Sequence, residues 1–159
     1  MQQLSAPVHH MTQQITRHDP RLTAWPTFLR AHARVVRELE RELQSEQQLA
    51  LTDYDVLVQL AAATDRRLRM SELADALLLS RSGATRLIDR LAAEELVERV
   101  TCESDRRGQW ASLTDAGHER LRQASPTHLR GVAEHFLDRL PPDDLAVLER
   151  MLDRVLAEE

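Results

Sequence analysis

The chain has 159 residues, 42% of them hydrophobic, with 21 basic and 26 acidic side chains and a formal charge of −5. That length supports one good core and a single domain, and the mild acidity excludes a polycation that binds nucleic acid without selectivity. The one cysteine, Cys102, excludes an intramolecular disulfide, and no apolar run approaches the ~18 residues of a membrane helix.

The charge is unevenly spread. Residues 64–110 carry nine Arg and nine acids, whereas 111–159 carry six Arg and ten acids. A neutral module is thus followed by a negative C-terminal part, a sidedness that can orient docking. Every basic residue is Arg, whose planar fork suits bidentate recognition. The N-terminus has no basic segment followed by an apolar core, so a cytoplasmic chain without a secretion signal is expected.

Residues 1–20 are polar, contain Pro7, His9, His10 and Pro20, and read as a mobile N-terminal arm. Met11 is an alternative start. The His9–His10 pair, in a loose tail, is expected to do nothing specific. A long helix follows over 22–46. Its Leu29, His32, Val36, Leu39 and Leu43 recur at alternating spacings of three and four, a coiled-coil-like stripe. Trp25 and Pro26 sit near its start, where Pro is tolerated.

Thr52 reads as the cap of the next helix, with Asp55 at the capping-box position. Its apolar side is Tyr54, Val56, Leu57, Leu60 and Ala61. Residues 64–69 read as a loop leading to Ser71, the expected N-cap of a short helix. Leu73, Ala74, Leu77 and Leu78 make the stripe of that helix. Ser80 is the next N-cap, which leaves a turn of about three residues and matches a helix-turn-helix.

The second helix of the pair is the most informative. Ala84, Leu87, Ile88 and Leu91 fall at i, i+3, i+4 and i+7, a buried face. The opposite face carries Ser82, Thr85, Arg86, Asp89 and Arg90, hydroxyls and guanidiniums suited to phosphate oxygens and base edges. A solvated amphipathic helix explains the same pattern. The β-formers of 96–102 and 109–113 then frame a polar turn, Glu103-Ser104-Asp105-Arg106-Arg107-Gly108. Following a helix-turn-helix, two arginines on such a turn read as a wing that can enter a minor groove.

Beyond the ribbon, Thr114 caps a helix running towards Leu140 that Pro126 is expected to kink or break near Ser125. Leu129, Val132, Ala133, Phe136, Leu137 and Leu140 form its later apolar face. Pro141-Pro142 stops it, and Asp143-Asp144 opens the last helix with acids at its positive end. Leu145, Leu148, Leu152, Val155 and Leu156 stripe that helix. The flanking helices carry more apolar surface than a lone winged helix covers, and a twofold dimer is the economical way to bury it.

The ordered run Ser82, Thr85-Arg86-Leu87, Asp89-Arg90-Leu91, Leu96-Val97-Glu98-Arg99, Asp105-Arg106-Arg107-Gly108 and Leu113-Thr114-Asp115-Ala116-Gly117 resembles the winged helix-turn-helix of the MarR family of bacterial transcription regulators. One departure is Glu95, where the family usually has Gly. The match in element order covers roughly residue 22 to the end. The resemblance implies a mainly α fold with a small β-wing. A winged helix-turn-helix at 51–114 is flanked by dimerisation helices at 22–46 and 115–159, in a single domain over 21–159. It also implies a homodimer on a pseudo-palindromic double-stranded DNA operator, with repression as the commoner mode and no membrane partner.

On that reading Ser80, Arg81, Ser82, Thr85, Arg86 and Arg90 are the major-groove and phosphate candidates. Arg106 and Arg107 are the wing candidates, and Asp105 orients an arginine. Arg86 and Arg99 also admit a structural role, with the stem packed on the core and the head paired to an acid. The resemblance further implies a small anionic or phenolic ligand between the dimerisation helices and the DNA module. Trp25, Phe28, His32, Tyr54 and Asp55 are candidates to line that crevice, and each reads equally as packing.

Other classes are weaker. A redox sensor would use Cys102, whose neighbouring arginines are offset by Glu103 and Asp105. A metal sensor would recruit His32, His118, His128 or His135, but His128 and His135 are two turns apart and need a donor from elsewhere. No phosphate loop, HExxH, nucleophile elbow or CxxC appears, so neither an enzyme nor a cofactor or resident metal is expected. A winged helix that binds protein instead of DNA is the remaining alternative.

Overall fold

The computed structural model describes residues 19–102 and 105–157, without the side chains of Arg21 and of 102–108. The chain divides into two compact units, residues 1–34 and 35–159. The expected N-terminal arm, with His9, His10 and Met11, lies outside the described residues.

The helices are α1 (Ala24–Glu42), α2 (Leu51–Ala62), α3 (Met70–Ala76), α4 (Arg81–Ala93), α5 (Asp115–His135) and α6 (Pro142–Leu156). Three strands, β1 (Arg67–Arg69), β2 (Val97–Cys102) and β3 (Asp105–Leu113), form an antiparallel sheet in the order β1-β3-β2. The fold is thus mainly α with a small β-wing, as the sequence implies. Leu43, Val56, Leu57, Leu60, Leu73, Ile88, Leu91 and Val97 are the largest fully buried side chains. They come from the end of the first helical segment, from α2, α3 and α4, and from β2, so one core fixes the helix pair against the sheet. Each such side chain contributes about 1.5–3 kcal/mol.

Several local expectations are corrected. The segment after Glu42 tightens into a π-helical turn, Leu43–Gln47, that ends on Gln48 in the left-handed region at φ 52°. Helix α2 starts at Leu51 behind Ala50, and Thr52 does not cap it. The Glu40 carboxylate accepts from the Leu51 N–H at 2.7 Å and does that work from α1. Ser71 is likewise inside its helix, since α3 opens at Met70 and the Glu72 carboxylate accepts from the Arg69 N–H at 2.9 Å. Leu78 leaves the α3 stripe altogether. The tight turn puts it at φ 53° and 93% exposed.

Residues 67–69 are a strand and not loop, paired Arg67 to Ser112 and Arg69 to Trp110. Pro126 does not break α5, which runs unbroken past it, and the Ser125 hydroxyl donates to the Leu121 carbonyl at 2.8 Å. Ala124 and Thr127, on either side of the proline, are both buried. Pro126 itself is exposed, so its ring meets solvent while its buried neighbours hold the helix to the core against the ~3 kcal/mol that an interior proline costs.

Candidate nucleic-acid interface

The site is built on α4. Ser80 caps it as expected, its hydroxyl accepting from the Gly83 N–H at 3.1 Å. Ala84, Leu87, Ile88 and Leu91 are all buried, which fixes the rotation of the helix. Arg81, Ser82 and Arg86 then face solvent, with Thr85 partly exposed. Arg81 and Arg86 have no ion-pair or hydrogen-bond partner among the described residues. Arg86 thus lacks, among the described residues, the acidic partner that its structural reading calls for. The Ser82 hydroxyl lies 3.2 Å from that of Ser80.

Arg90, a further contact candidate on the same helix, already has a partner within the chain. Both its terminal nitrogens donate to Asp53 on α2, at 2.6 Å each, and Asp53 is buried. This bidentate bond raises the Arg90 pKa above its ordinary value, and it ties α4 to the core. Sequence reading missed Asp53, because the pair spans 37 positions and no local pattern marks it. Arg99 takes its structural reading too. It donates to Asp89 of α4 at 2.7 and 3.0 Å and to Gln109 at 3.1 Å, joining helix to sheet.

The end of α4 sets the wing. Leu96 N–H reaches the Leu91 carbonyl at 3.0 Å and Glu95 N–H reaches that of Ala92 at 3.1 Å, a Schellman closure. Glu95, which stands where the family usually has Gly, occupies the left-handed position of this closure at φ 60°. Thr114 locks the other end of the ribbon. Its hydroxyl donates to the Glu95 carbonyl at 2.7 Å and accepts from the Gly117 N–H at 2.9 Å. Gly117 is obligatory, since a Cβ there would overlap the Leu96 carbonyl and lie 2.7 Å from Leu113 Cδ1.

Within the ribbon, the register shifts after Thr101, and Cys102 then pairs with Asp105. The run Asp105–Gly108 therefore belongs to β3 and is not the turn. The side chains of Cys102, Asp105, Arg106 and Arg107 lie outside the described residues. On the far edge, the guanidiniums of Arg67 and Arg69 sit 5.7 and 5.1 Å from the Trp110 ring centroid. The alternating Arg-Leu-Arg was the available signal for this strand, but three residues are too few to score.

The ligand candidates fall into two groups. In the first unit Trp25, Phe28 and His32 stack along α1, with centroids 6.1 and 6.3 Å apart. In the second, Tyr54 stacks on His128 at 4.4 Å and donates to Ser125 at 3.3 Å. Asp55 is half-buried, and desolvation raises its pKa. Desolvation also lowers that of His128. His32, His118 and His128 share no cluster of ligating side chains among the described residues. No described helix is long and apolar enough to cross a membrane.

The family model that matches this chain is that of the MarR family, over residues 47–108. The solved structure of AbsC, a MarR family transcriptional regulator from Streptomyces coelicolor, superposes with a TM-score of 0.81 at 39% identity, covering 91% of this chain and 96% of that one. The chain belongs to the MarR family. A second MarR regulator from the same organism, Sco3205, was solved in complex with DNA. It matches with a TM-score of 0.80 and 34% identity over 89% of this chain and 91% of its own. The transcriptional repressor MprA of Escherichia coli K12 is 37% identical over 75 residues, 47% of this MarR-family chain. The match spans 43% of MprA's own length, so the chain covers less than half of that curated relative.

Proposed function

We propose that this MarR-family chain is a homodimeric, sequence-specific DNA-binding repressor. The observation that carries the reading is the outer face of α4. Arg81, Ser82, Thr85 and Arg86 are presented on a helix whose rotation is fixed by its buried side, and both arginines are without a partner among the described residues. Ser80 borders this surface at the helix start. Arg86 suits bidentate contact with a guanine edge, and Arg81, at the helix N-terminus, suits a phosphate. Arg106 and Arg107 complete the interface as minor-groove contacts from the ribbon, with Asp105 orienting one of them. Sco3205 supports this reading as a relative solved on DNA, and MprA supports repression as a relative named for it.

The dimer rests on α6 and α1. In the second unit Val147, Met151, Val155 and Leu156 of α6 are exposed, and no residue of that helix is buried. In the first unit Trp25, Phe28 and Leu29 are exposed as well. Residues 22–46 and 115–159 are the dimerising parts, and 51–114 is the winged helix-turn-helix within a single domain over 21–159. A twofold dimer presents two α4 helices to half-sites about 10 bp apart, a pseudo-palindromic operator. Release by a small anionic or phenolic ligand near Tyr54 and Asp55 follows if the ligand prefers a dimer whose α4 spacing does not fit the operator.

The test is fluorescence anisotropy on duplex DNA from the gene's own upstream region at several salt concentrations. Saturable, salt-dependent binding is expected. Arg86→Ala should cost roughly 1–3 kcal/mol with relaxed base preference, and Arg107→Ala should also weaken binding. No binding to that DNA or to any duplex in a random-site selection would sink the proposal in favour of a protein-interaction module.

A further inference from the structure

The last residue of α1 and the last turn of α5 bring Glu42, Glu134 and His135 together. One ligating atom from each lies within 4.8 Å of the others. This is the donor from elsewhere that a histidine of α5 requires, and it comes from 93 positions earlier in the chain. His135 Nε2 is 2.7 Å from Glu42 Oε1, and Arg41 donates to the same oxygen at 3.3 Å.

The second oxygen of Glu42 is in a different state. Glu42 is only 8% exposed, and its Oε2 is buried with no hydrogen-bond partner among the described residues. Gly131, one turn before His135, makes room for it. A Cβ at 131 would stand 2.8 Å from that oxygen and 2.7 Å from Leu39 Cδ2. A buried carboxylate oxygen without a donor is costly to keep, and a cation is the partner that offsets most of that cost.

The surrounding charge permits one. Glu42, Glu46 and Glu134 stand against Arg41 and Arg130, and Arg130 is held by Glu46 at 2.6 Å. With a neutral imidazole this leaves one negative charge in excess. One imidazole and two carboxylates suit zinc or another first-row divalent ion, with water completing the shell. Magnesium, which prefers an all-oxygen octahedron, fits poorly.

We propose that Glu42, Glu134 and His135 form a binding site for a first-row divalent cation of the zinc type. On binding, the His135–Glu42 hydrogen bond is replaced by two bonds to the ion, so the end of α1 is fastened to the end of α5. The site is separate from the outer face of α4, and its test does not depend on DNA binding.

The experiment uses the full chain carrying His9→Ala and His10→Ala, which removes the histidine pair of the arm. Zn²⁺ is titrated by calorimetry, and Co²⁺ by visible absorption. One ion per chain is expected, with the ligand-field bands of four-coordinate cobalt and no comparable response to Mg²⁺. His135→Ala and Glu42→Gln should each weaken Zn²⁺ binding by at least about tenfold and abolish the zinc-dependent rise in Tm. Glu134 is exposed, so Glu134→Gln tests a ligand at little risk to folding, and it should weaken binding as well. Unchanged affinity in both His135→Ala and Glu134→Gln, or no stoichiometric binding in the parent, overturns the site.

Discussion

Two arginines one turn apart on α4 have opposite fates, and their partners decide it. Arg86 is exposed and has no partner among the described residues, whereas the fork of Arg90 closes on Asp53, which is 4% exposed. Removing Arg90 strands a buried carboxylate, while removing Asp53 lets the half-exposed Arg90 turn to solvent. Arg90→Ala should therefore cost more stability, on the order of 2–4 kcal/mol against about 1–2 for Asp53→Ala. The double variant should resemble Asp53→Ala alone. Urea unfolding of the four proteins measures this, and equal losses for the two single variants would count against the pair as a core tie. His128 adds a pH dependence. Burial against Tyr54 lowers its pKa, so the unfolded chain binds a proton that the folded chain refuses. Its contribution is thus complete above the ordinary histidine range near 6.5 and falls as pH drops through that range. His128→Phe should flatten the decline in stability between about pH 7.5 and 5.5.

At the scale of elements, what the sequence made legible was whatever rests on short-range periodicity. The buried face of α4, its Ser80 cap and the Thr114 cap could all be read from neighbours within one or two turns, whereas Glu95 stood out only through the family resemblance. What stayed hidden depends on contacts remote in sequence. The cap of α2 comes from Glu40, eleven positions back, and so Thr52 looked like the cap. Strand β1 exists only because β3 pairs with it, and Pro126 is tolerated because residues beside it are buried. At the proposed DNA site, the outward face of α4 with Arg81, Ser82 and Arg86 was legible, but the pairing of Arg90 with Asp53 was not. The Glu95 cap also offers a direct test. A β-carbon in the left-handed region costs on the order of 1 kcal/mol, and a glycine in the same Schellman closure does not. Glu95→Gly should raise Tm by about 2–4 °C with no change in DNA affinity, as read by thermal unfolding and anisotropy on one preparation. A lower Tm would mean that Glu95 makes a contact worth more than the strain.

At the scale of the whole molecule, the exposed apolar side chains of α6 bear on assembly. Val155 is 80% and Leu156 77% exposed, one turn beyond the half-exposed Met151. An amphipathic helix with no buried residue gains little from its own chain, and in the dimer proposed above a second copy supplies the missing surface. Ending the chain after Leu140 removes this helix and leaves the core of α2 to α5 and the sheet intact. Such a protein should fold with nearly the same α4 surface, sediment as a monomer, and lose affinity for a two-half-site operator by on the order of 100-fold or more, since two linked contacts become one. Its affinity for a single half-site should match that of the full chain. Sedimentation velocity and anisotropy on both duplexes separate these quantities. A monomer that still bound the full operator tightly would break the link between the terminal helices and DNA recognition. A truncated dimer would shift the interface to the apolar side chains of α1.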